Sequence, residues 1–328
     1  MLYGMVTHEK KPGFSEDDAF FSCSPDGSYV LAVLDGLGGA GARQIEGFDG
    51  PRTGAYYASR VVRQAIEEFI PIAPSDFDDW GTGLRLHIAE GLRKFTSQYP
   101  ISETQIKGSL IRNLPTTLAL CRLSPQISDN LCEVLWAGDS RLYLLSANHG
   151  LMQLSQDDVK GNKDPLENLK ADAPLSNFIN ADHPYKVHSK LFTSRAEDIL
   201  ICATDGCFNF HKSPMHFEAD ILDCLTQSRS AAEFNDRLSL AISSVTGDDA
   251  SLVWLVTGFT EFGELASRFL SRQATFRERF MRRLTLLTNV AAATELHLDE
   301  IRQACLQELE VAWAEYKKSY LGYWDVES

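Results

Sequence analysis

Residues 132–146 read Cys132-Glu133-Val134-Leu135-Trp136-Ala137-Gly138-Asp139-Ser140-Arg141-Leu142-Tyr143-Leu144-Leu145-Ser146. Two strand-like runs, Cys132 to Ala137 and Leu142 to Ser146, stand side by side here with no helical pattern between them. Runs of the same apolar, β-branched or aromatic kind recur outward in both directions. Tyr29 to Leu34 and Thr117 to Leu123 come before; Val187 to Thr193, Ile199 to Thr204 and Ser251 to Thr257 come after. Helical patterns, with apolar residues repeating at three and four, cover Gly54 to Ile70, Leu84 to Tyr99, Phe217 to Gln227 and Ala231 to Val245. Strands therefore cluster in the middle of the chain and helices arrive in pairs. A doubly wound parallel sheet needs regular strand and helix alternation, which is absent, so antiparallel sheets covered by helices are expected. Long loops are expected at Gln126 to Asn130, Asp157 to Asp164 and Ala171 to Pro184.

The 328 residues are 44% apolar and 23% charged, enough to bury a sizeable core. Forty-five acidic against 31 basic side chains leave a net charge of −14, which disfavours a nucleic-acid binder. The N-terminus carries no apolar run fit for a signal peptide and no later stretch approaches a membrane span, so a soluble cytoplasmic protein is expected. Seven cysteines form no C-x-x-C pair and most lie inside apolar runs, so reduced, structural thiols are expected.

The strongest chemical signal is four acid clusters at strand ends, where burial without a cation is costly. Glu16-Asp17-Asp18 precedes an apolar run. Asp35-Gly36-Leu37-Gly38-Gly39 ends the strand Tyr29 to Leu34 and frees the backbone to turn and offer a carbonyl. Asp205-Gly206 ends the strand Ile199 to Thr204 in the same way, and Asp248-Asp249 stands just ahead of Ser251 to Thr257. Convergent carboxylates, a backbone carbonyl and water are the ligand set of hard divalent cations such as Mg²⁺ or Mn²⁺. Zinc signatures are missing. Gly36-Leu37-Gly38-Gly39-Ala40-Gly41 formally matches a dinucleotide loop, but Gly47, Gly50 and Pro51 follow before any helical pattern, so no helix start is available for a pyrophosphate. Gly138-Asp139-Ser140-Arg141 does not satisfy the nucleophile elbow of serine hydrolases.

Taken in order, these segments resemble the metal-dependent protein phosphatases of type 2C, the PPM family, over roughly residues 4–257. Asp17-Asp18-Ala19 is similar to the family's acidic N-E-D-A motif, Asp35-Gly36-Leu37-Gly38-Gly39 to D-G-x-G-G, and Pro115-Thr116-Thr117-Leu118 to its G-T-T strand start. Gly138-Asp139-Ser140-Arg141 resembles the G-D-S-R strand pair, Leu200 to Gly206 the L-L-x-x-S-D-G run, and Asp248-Asp249-Ala250-Ser251 the closing D-D-x-T.

The resemblance implies an α+β fold: two packed antiparallel sheets flanked by helix pairs, a four-layer α/β/β/α sandwich, here with a C-terminal helical extension. It implies a phosphatase domain over 1–258 and an extension over 259–328. It also implies roles. Asp35 would bridge two Mn²⁺ or Mg²⁺ ions, Asp205 and Asp248 would complete one, and the Gly36 carbonyl with Asp17 or Asp18 would serve the other. Asp139 would belong to a weaker third-metal position. The implied reaction is hydrolysis of phosphoserine or phosphothreonine in a phosphoprotein by attack of a metal-bridging hydroxide.

Three positions depart from the family pattern. Gly13 stands where a phosphate-binding Arg is usual; Lys10 and Lys11 are close by and can hold phosphate as point charges, or serve only as solvated surface lysines. Leu37 occupies a place where some members carry a His, and Asn209 one where many carry another Asp. These departures favour the rival reading, a catalytically weak or inactive phosphoprotein-binding or scaffold module, whereas the retention of Asp35, Asp205 and Asp248 opposes it. A third reading keeps the hydrolysis but takes a small phosphate ester.

Beyond Thr257, Gly and Pro almost vanish. Phe262, Leu265, Phe269, Phe276, Phe280, Leu284, Leu287 and Ala291 form the stripe of one long helix, and Leu298, Ile301, Cys305, Leu309, Ala312 and Tyr316 that of a second beginning near Thr294. A helical hairpin or two docked helices is expected. Six arginines (268, 272, 277, 279, 282, 283) against Glu264 and Glu278 make the first helix basic on an acidic protein. That charge fits self-docking on the acidic body, a docking surface for a phosphoprotein or other partner, or an anionic membrane surface. Trp313, Tyr316, Tyr320, Tyr323 and Trp324 suit a contact surface or a hairpin core alike.

Overall fold

In β3 (Tyr29–Leu34) five successive apolar residues, Val30 to Leu34, are buried. Val30, Ala32 and Leu34 enter one core while Leu31 and Val33 enter another, so the strand has protein on both faces. The computed structural model describes residues 1–74, 77–100, 112–125, 129–161, 164–170, 173–282, 284 and 298–322. Two five-stranded antiparallel sheets are stacked in it. One runs β1 (Leu2–His8), β12 (Ala250–Val256), β11 (Ile199–Ala203), β8 (Arg141–Ser146), β9 (Gly150–Gln153). The other runs β10 (His188–Arg195), β7 (Asp129–Ala137), β6 (Leu118–Pro125), β3, β2 (Asp18–Cys23). A small hairpin, β4 (Gln44–Gly47) and β5 (Gly50–Thr53), precedes the first helix.

The layers follow from side-chain alternation. Leu200, Cys202, Val253 and Leu255 face Leu31, Val33 and Cys121 between the sheets, whereas Ile199, Ile201, Leu252 and Trp254 face outward to helices. Helices α1 (Gly54–Phe69) and α2 (Phe77–Gln98) cover the second sheet through Val62, Ile66, Trp80, Leu84 and Ile88. The first sheet is covered by α4 (Pro214–Gln227), α5 (Ala231–Ser243), α6 (Phe262–Phe276) and α7 (Leu298–Tyr320); a short α3 (Pro165–Lys170) lies in the loop region between β9 and β10. The expected four-layer sandwich is present. The cysteines are free thiols, buried at 121, 132, 202, 207 and 224. No helix among the described residues is long and apolar enough to cross a membrane.

Several details differ from the sequence reading. The edge strand β1, which buries only Gly4 and Val6, and the four-residue strands β9, β4 and β5 are too exposed or too short to stand out as strand-like runs. Expected helices lengthen at the N-terminus, α2 by seven residues and α4 by three: Trp80 continues the buried stripe of Leu84 and Ile88, but Gly81 and Gly83 obscure it in the sequence, and α4 opens on Pro214. The expected helix over 262–291 keeps its stripe, with Phe262, Leu265, Phe269, Phe276, Phe280 and Leu284 buried, but changes to a π turn over Arg277–Met281. Arg283, Leu287, Ala291 and Thr294, with Tyr323 and Trp324, lie outside the described residues. The second helix buries Trp313, Tyr316 and Tyr320 in the same core as α4 and α6.

Register places the acids. Asp18 pairs with Leu34, Leu118 with Ala137, Arg141 with Ala203, Ala203 with Leu252, and His8 with Ala250. Residues 17, 35, 139, 205 and 248 are thereby delivered to one end of the sandwich.

Candidate active site

Asp35 follows β3 directly, and its backbone is clamped on both sides. Its N–H donates to Thr117 Oγ1 (3.2 Å), and its carbonyl accepts from Thr117 N (2.8 Å) and Thr116 Oγ1 (2.9 Å). The next residue, Gly36, donates its N–H to the Glu16 carbonyl (3.2 Å). Asp205 opens a single 3-10 turn after β11, and a Cβ on Gly206 would collide with the Asp249 carbonyl oxygen, so only glycine lets the two acid loops meet. Asp17 is buried and accepts from Thr204 Oγ1 (2.8 Å). Asp139 sits in the β7–β8 turn, which is pinned by Gly138 N–H donating to Asp158 Oδ2 (3.1 Å) and by the Thr117 and Ser140 hydroxyls at 2.6 Å.

These acids raise one another. Burial first, and then Asp205, Asp17, Asp139 and Asp248, push the Asp35 carboxyl well above the usual carboxylate range. Asp17 is driven up by burial, then by Asp205 and Asp249, against hydrogen bonds from Thr204 and Ser251. Asp139 is driven up by burial, Asp205 and Asp157, with Arg141 opposing. Asp205 rises through burial and Asp248, restrained by hydrogen bonding to Asp35 and Asn209. Asp17, Asp35, Asp139, Asp205 and Asp248 thus form one electrostatic unit.

Asp18 does not join it. Its Oδ1 takes Arg63 Nη1 of α1 at 2.8 Å and its own chain's Ala19 N–H at 2.8 Å, on the other side of β2. Asp249, to which the sequence reading gave no role, is a scaffold acid: it accepts Lys10 N–H (2.8 Å) and Glu16 N–H (2.9 Å), tying the N-terminal segment to the start of β12. Lys10 Nζ lies 3.4 Å from Asp248 Oδ1 at the exposed rim, and Lys11 Nζ lies over the Phe14 ring at 3.8 Å.

The protein phosphatase 2C family model matches residues 7–242, more than half of the chain. The chain belongs to the protein phosphatase 2C family. Solved phosphatases share its fold at low identity. The Mycobacterium tuberculosis serine/threonine phosphatase PstP/Ppp is 19% identical, with a TM-score of 0.55 over 77% of this chain and 97% of that one. The Pseudomonas aeruginosa PppA, described as a key regulatory component of T6SS, is 20% identical with a TM-score of 0.54, over 77% and 96%. The S. agalactiae serine/threonine phosphatase is 15% identical with a TM-score of 0.57, over 78% and 100%. No curated protein matches the chain.

The side chains gathered in this 2C member are carboxylates, the donors hard divalent cations take. Among the described residues no three such side chains are already drawn around one point. The unit is nevertheless short of positive charge, and Asp139 Oδ1 is buried without any hydrogen-bond donor. Hard oxygen donors, mutual repulsion and an orphaned carboxylate oxygen together fit a hard cation. Asn209 donates its Nδ2 to Asp205 Oδ2 (2.9 Å), so the family's frequent extra acid is here a neutral donor. Near Gly13 a different cation comes in from β5. Arg52 Nη1 donates to the Gly13 carbonyl (2.8 Å), with its guanidinium 4.7 Å from the Phe14 ring centroid and 5.0 Å from that of Tyr56. The sequence reading missed Arg52 because only the tertiary fold brings it beside Gly13.

Proposed function

We propose that this chain hydrolyses phosphoserine and phosphothreonine in phosphoprotein substrates with two Mn²⁺ or Mg²⁺ ions, and that a third ion binds more weakly. The observation that carries this reading is the gathering of Asp17, Asp35, Asp139, Asp205 and Asp248 at one end of the sandwich, with Asp139 Oδ1 left without a donor. Asp35 would hold both principal ions, with Asp205 and Asp248 completing one and Asp17 and the Gly36 carbonyl serving the other. Asp139 would hold the third. Bound there, the ions would supply charge for the phosphate and acidify water for in-line attack on phosphorus.

The chain's own residues set the stage. Thr204 orients Asp17, Asn209 orients Asp205, and Thr116 and Thr117 hold the Asp35 backbone. Lys10 at the rim and Arg52 beside Gly13 are the cations offered to an incoming phosphate, Arg52 with the planar fork that suits it. No side-chain nucleophile is required. In this reading residues 1–258 carry the machinery and 259–328 are a helical extension, within which Trp313, Tyr316 and Tyr320 of α7 pack into the core that covers the first sheet.

The test is hydrolysis of a phosphothreonine peptide and of an aryl phosphate by the full chain with Mn²⁺, Mg²⁺ or chelator, beside Asp35→Asn. Turnover that needs the metal and disappears in Asp35→Asn supports the reading. Turnover of the aryl phosphate alone points to small esters, and silence with either ion returns the scaffold reading.

A further inference from the structure

Helix α7 lies outside the segment matched by the family model, yet its buried side chains reach toward the acid unit by two routes. Trp313, Tyr316 and Tyr320 are spaced at three and four, so they share one face, and all three are buried. On the first route Trp313 Nε1 donates to Asp164 Oδ1 (3.1 Å) and Lys317 Nζ pairs with Asp164 Oδ2 (2.6 Å). Asp164 stands immediately before α3, accepting Leu166 N–H on Oδ1 (2.9 Å) and Asn168 N–H on its carbonyl (3.0 Å). Asn168 Nδ2 in turn donates to Asp157 Oδ2 (3.1 Å). On the second route the Tyr320 hydroxyl lies 3.5 Å from that of Tyr143, which lies 3.5 Å from Arg141 Nη1.

Both routes end on one ion pair. Arg141 grips Asp157 with two bonds, Nε to Oδ1 (2.9 Å) and Nη2 to Oδ2 (2.6 Å), and Gln153 adds a third (3.1 Å). Arg141, Asp157 and Asn168 line one cavity of about 30 Å³ with Asp139, Phe208 and Asn209. Arg141 is also two residues from Asp139 in the chain, so any displacement of the pair is felt at Asp139 through a short, hydrogen-bonded turn. Removing the α7 contacts would leave Asp164 and Tyr143 to water or to other partners, and the wall of that cavity would lose its outer support.

We propose that Trp313, Lys317 and Tyr320 are positioning residues for the Asp139 end of the site, holding the Arg141–Asp157 pair in the place that lets Asp139 take a cation. The inference rests on the metal-dependent reading above. It makes the C-terminal helix a component of the cation site rather than an appendage.

The experiment titrates Mn²⁺ into the full-length chain by calorimetry and by electron paramagnetic resonance of free Mn²⁺, with thermal melts in parallel. The variants are Trp313→Phe with Lys317→Met, Tyr320→Phe, Asn168→Ala, and Val311→Ala, which changes an exposed α7 side chain, as control. The expected result is a loss of about tenfold in the weakest Mn²⁺ affinity for the first three, tighter sites and the control keeping theirs. Asn168→Ala breaks the first route without touching α7, so it answers even where the α7 variants fold poorly. An unchanged isotherm in Asn168→Ala and Tyr320→Phe, or a loss shared equally by every site, overturns the proposal. A wild-type chain that binds no Mn²⁺ overturns both this inference and the metal-dependent reading; a wild-type chain that binds and hydrolyses, with variants indistinguishable from it, overturns this inference alone.

Discussion

Arg272 of α6 places two nitrogens on one carboxylate oxygen of Glu218 in α4, Nε at 2.9 Å and Nη2 at 2.7 Å, and the Glu218 side chain has no exposed surface. The other oxygen accepts Leu151 N–H from β9 (3.1 Å) and the Tyr316 hydroxyl from α7 (2.6 Å). One buried carboxylate therefore joins the first sheet, α4 and both C-terminal helices. A buried pair of this kind adds little over an apolar replacement, but losing one partner strands a charge. Arg272→Ala is expected to cost about 3–5 kcal/mol of unfolding free energy, measured by urea denaturation. A double replacement, Arg272→Met with Glu218→Gln, should cost less than Arg272→Ala alone; an equal or larger loss would contradict the stranded-charge account.

Gly150 bears on the same contact. Its φ is +81°, and a Cβ there would run into the Arg272 guanidinium and approach Glu218 Oε1 at 2.6 Å. Gly150→Ala is expected to destabilise the chain by about 1–3 kcal/mol, through backbone strain and displacement of the ion pair together. Gly161→Ala, also at positive φ but with nothing near the added atom, isolates the backbone part.

At the acid unit, Asp35→Asn should act in opposite directions on stability and on activity. Without cations it removes one of several mutually repelling carboxylates, so the melting temperature in chelator should stay level or rise. With Mn²⁺ the wild type should melt higher and Asp35→Asn should show little gain, while turnover falls by about a hundredfold or more. A variant that melts lower in chelator and still gains from Mn²⁺ would count against Asp35 as a ligand.

For phosphate recognition, Arg52→Ala should raise KM for a phosphopeptide by about tenfold or more with a smaller change in kcat, since a hydrogen bond to a charged group contributes about 1.5–3 kcal/mol. Arg52→Lys should recover only part of the loss, because an ammonium lacks the planar fork. If Lys10→Ala raises KM and Arg52→Ala does not, the rim lysine is the phosphate holder.

His216 gives the pH dependence a defined window. Burial first, then Lys212 and His211, hold its imidazolium down to a pKa of about 4, against Asp220. The neutral ring is therefore the folded form, bonded between Nδ1 and Ser213 Oγ at 2.8 Å. Its contribution is complete above about pH 6.5 and is lost as pH falls toward about 4, amounting to at most about 3 kcal/mol. The raised carboxyls of Asp17 and Asp35 have the opposite sign, since acidification relieves their repulsion. The His216 part is thus read as the difference between wild type and His216→Gln across pH 4–7, and parallel curves would refute it.

The order of strand-like runs and the missing strand–helix alternation were enough to give antiparallel sheets covered by helices, and the glycines after Asp35 and Asp205 helped to nominate the acids; the four-layer sandwich came from the resemblance to the type 2C phosphatases. Strands buried on both faces announce themselves as unbroken apolar runs, as β3, β11 and β12 do. Short or exposed elements such as β1, β4 and β5 escape because they bury few residues. The choice between Asp17 and Asp18 could not be made from neighbouring letters: side chains alternate across a strand, so adjacent acids point to opposite faces, and which face is the site depends on Arg63 and Thr204, far away in the chain. Arg52 at Gly13, Asp249 beneath the N-terminal segment and the α7 contacts to Asp164 and Tyr143 belong to the same class. Sequence by itself determined residue type, periodicity and the backbone freedom at turns, because those are local. Only the tertiary structure decided which charges share a volume, because electrostatic coupling and hydrogen bonding depend on distance in space, which separation along the chain does not record.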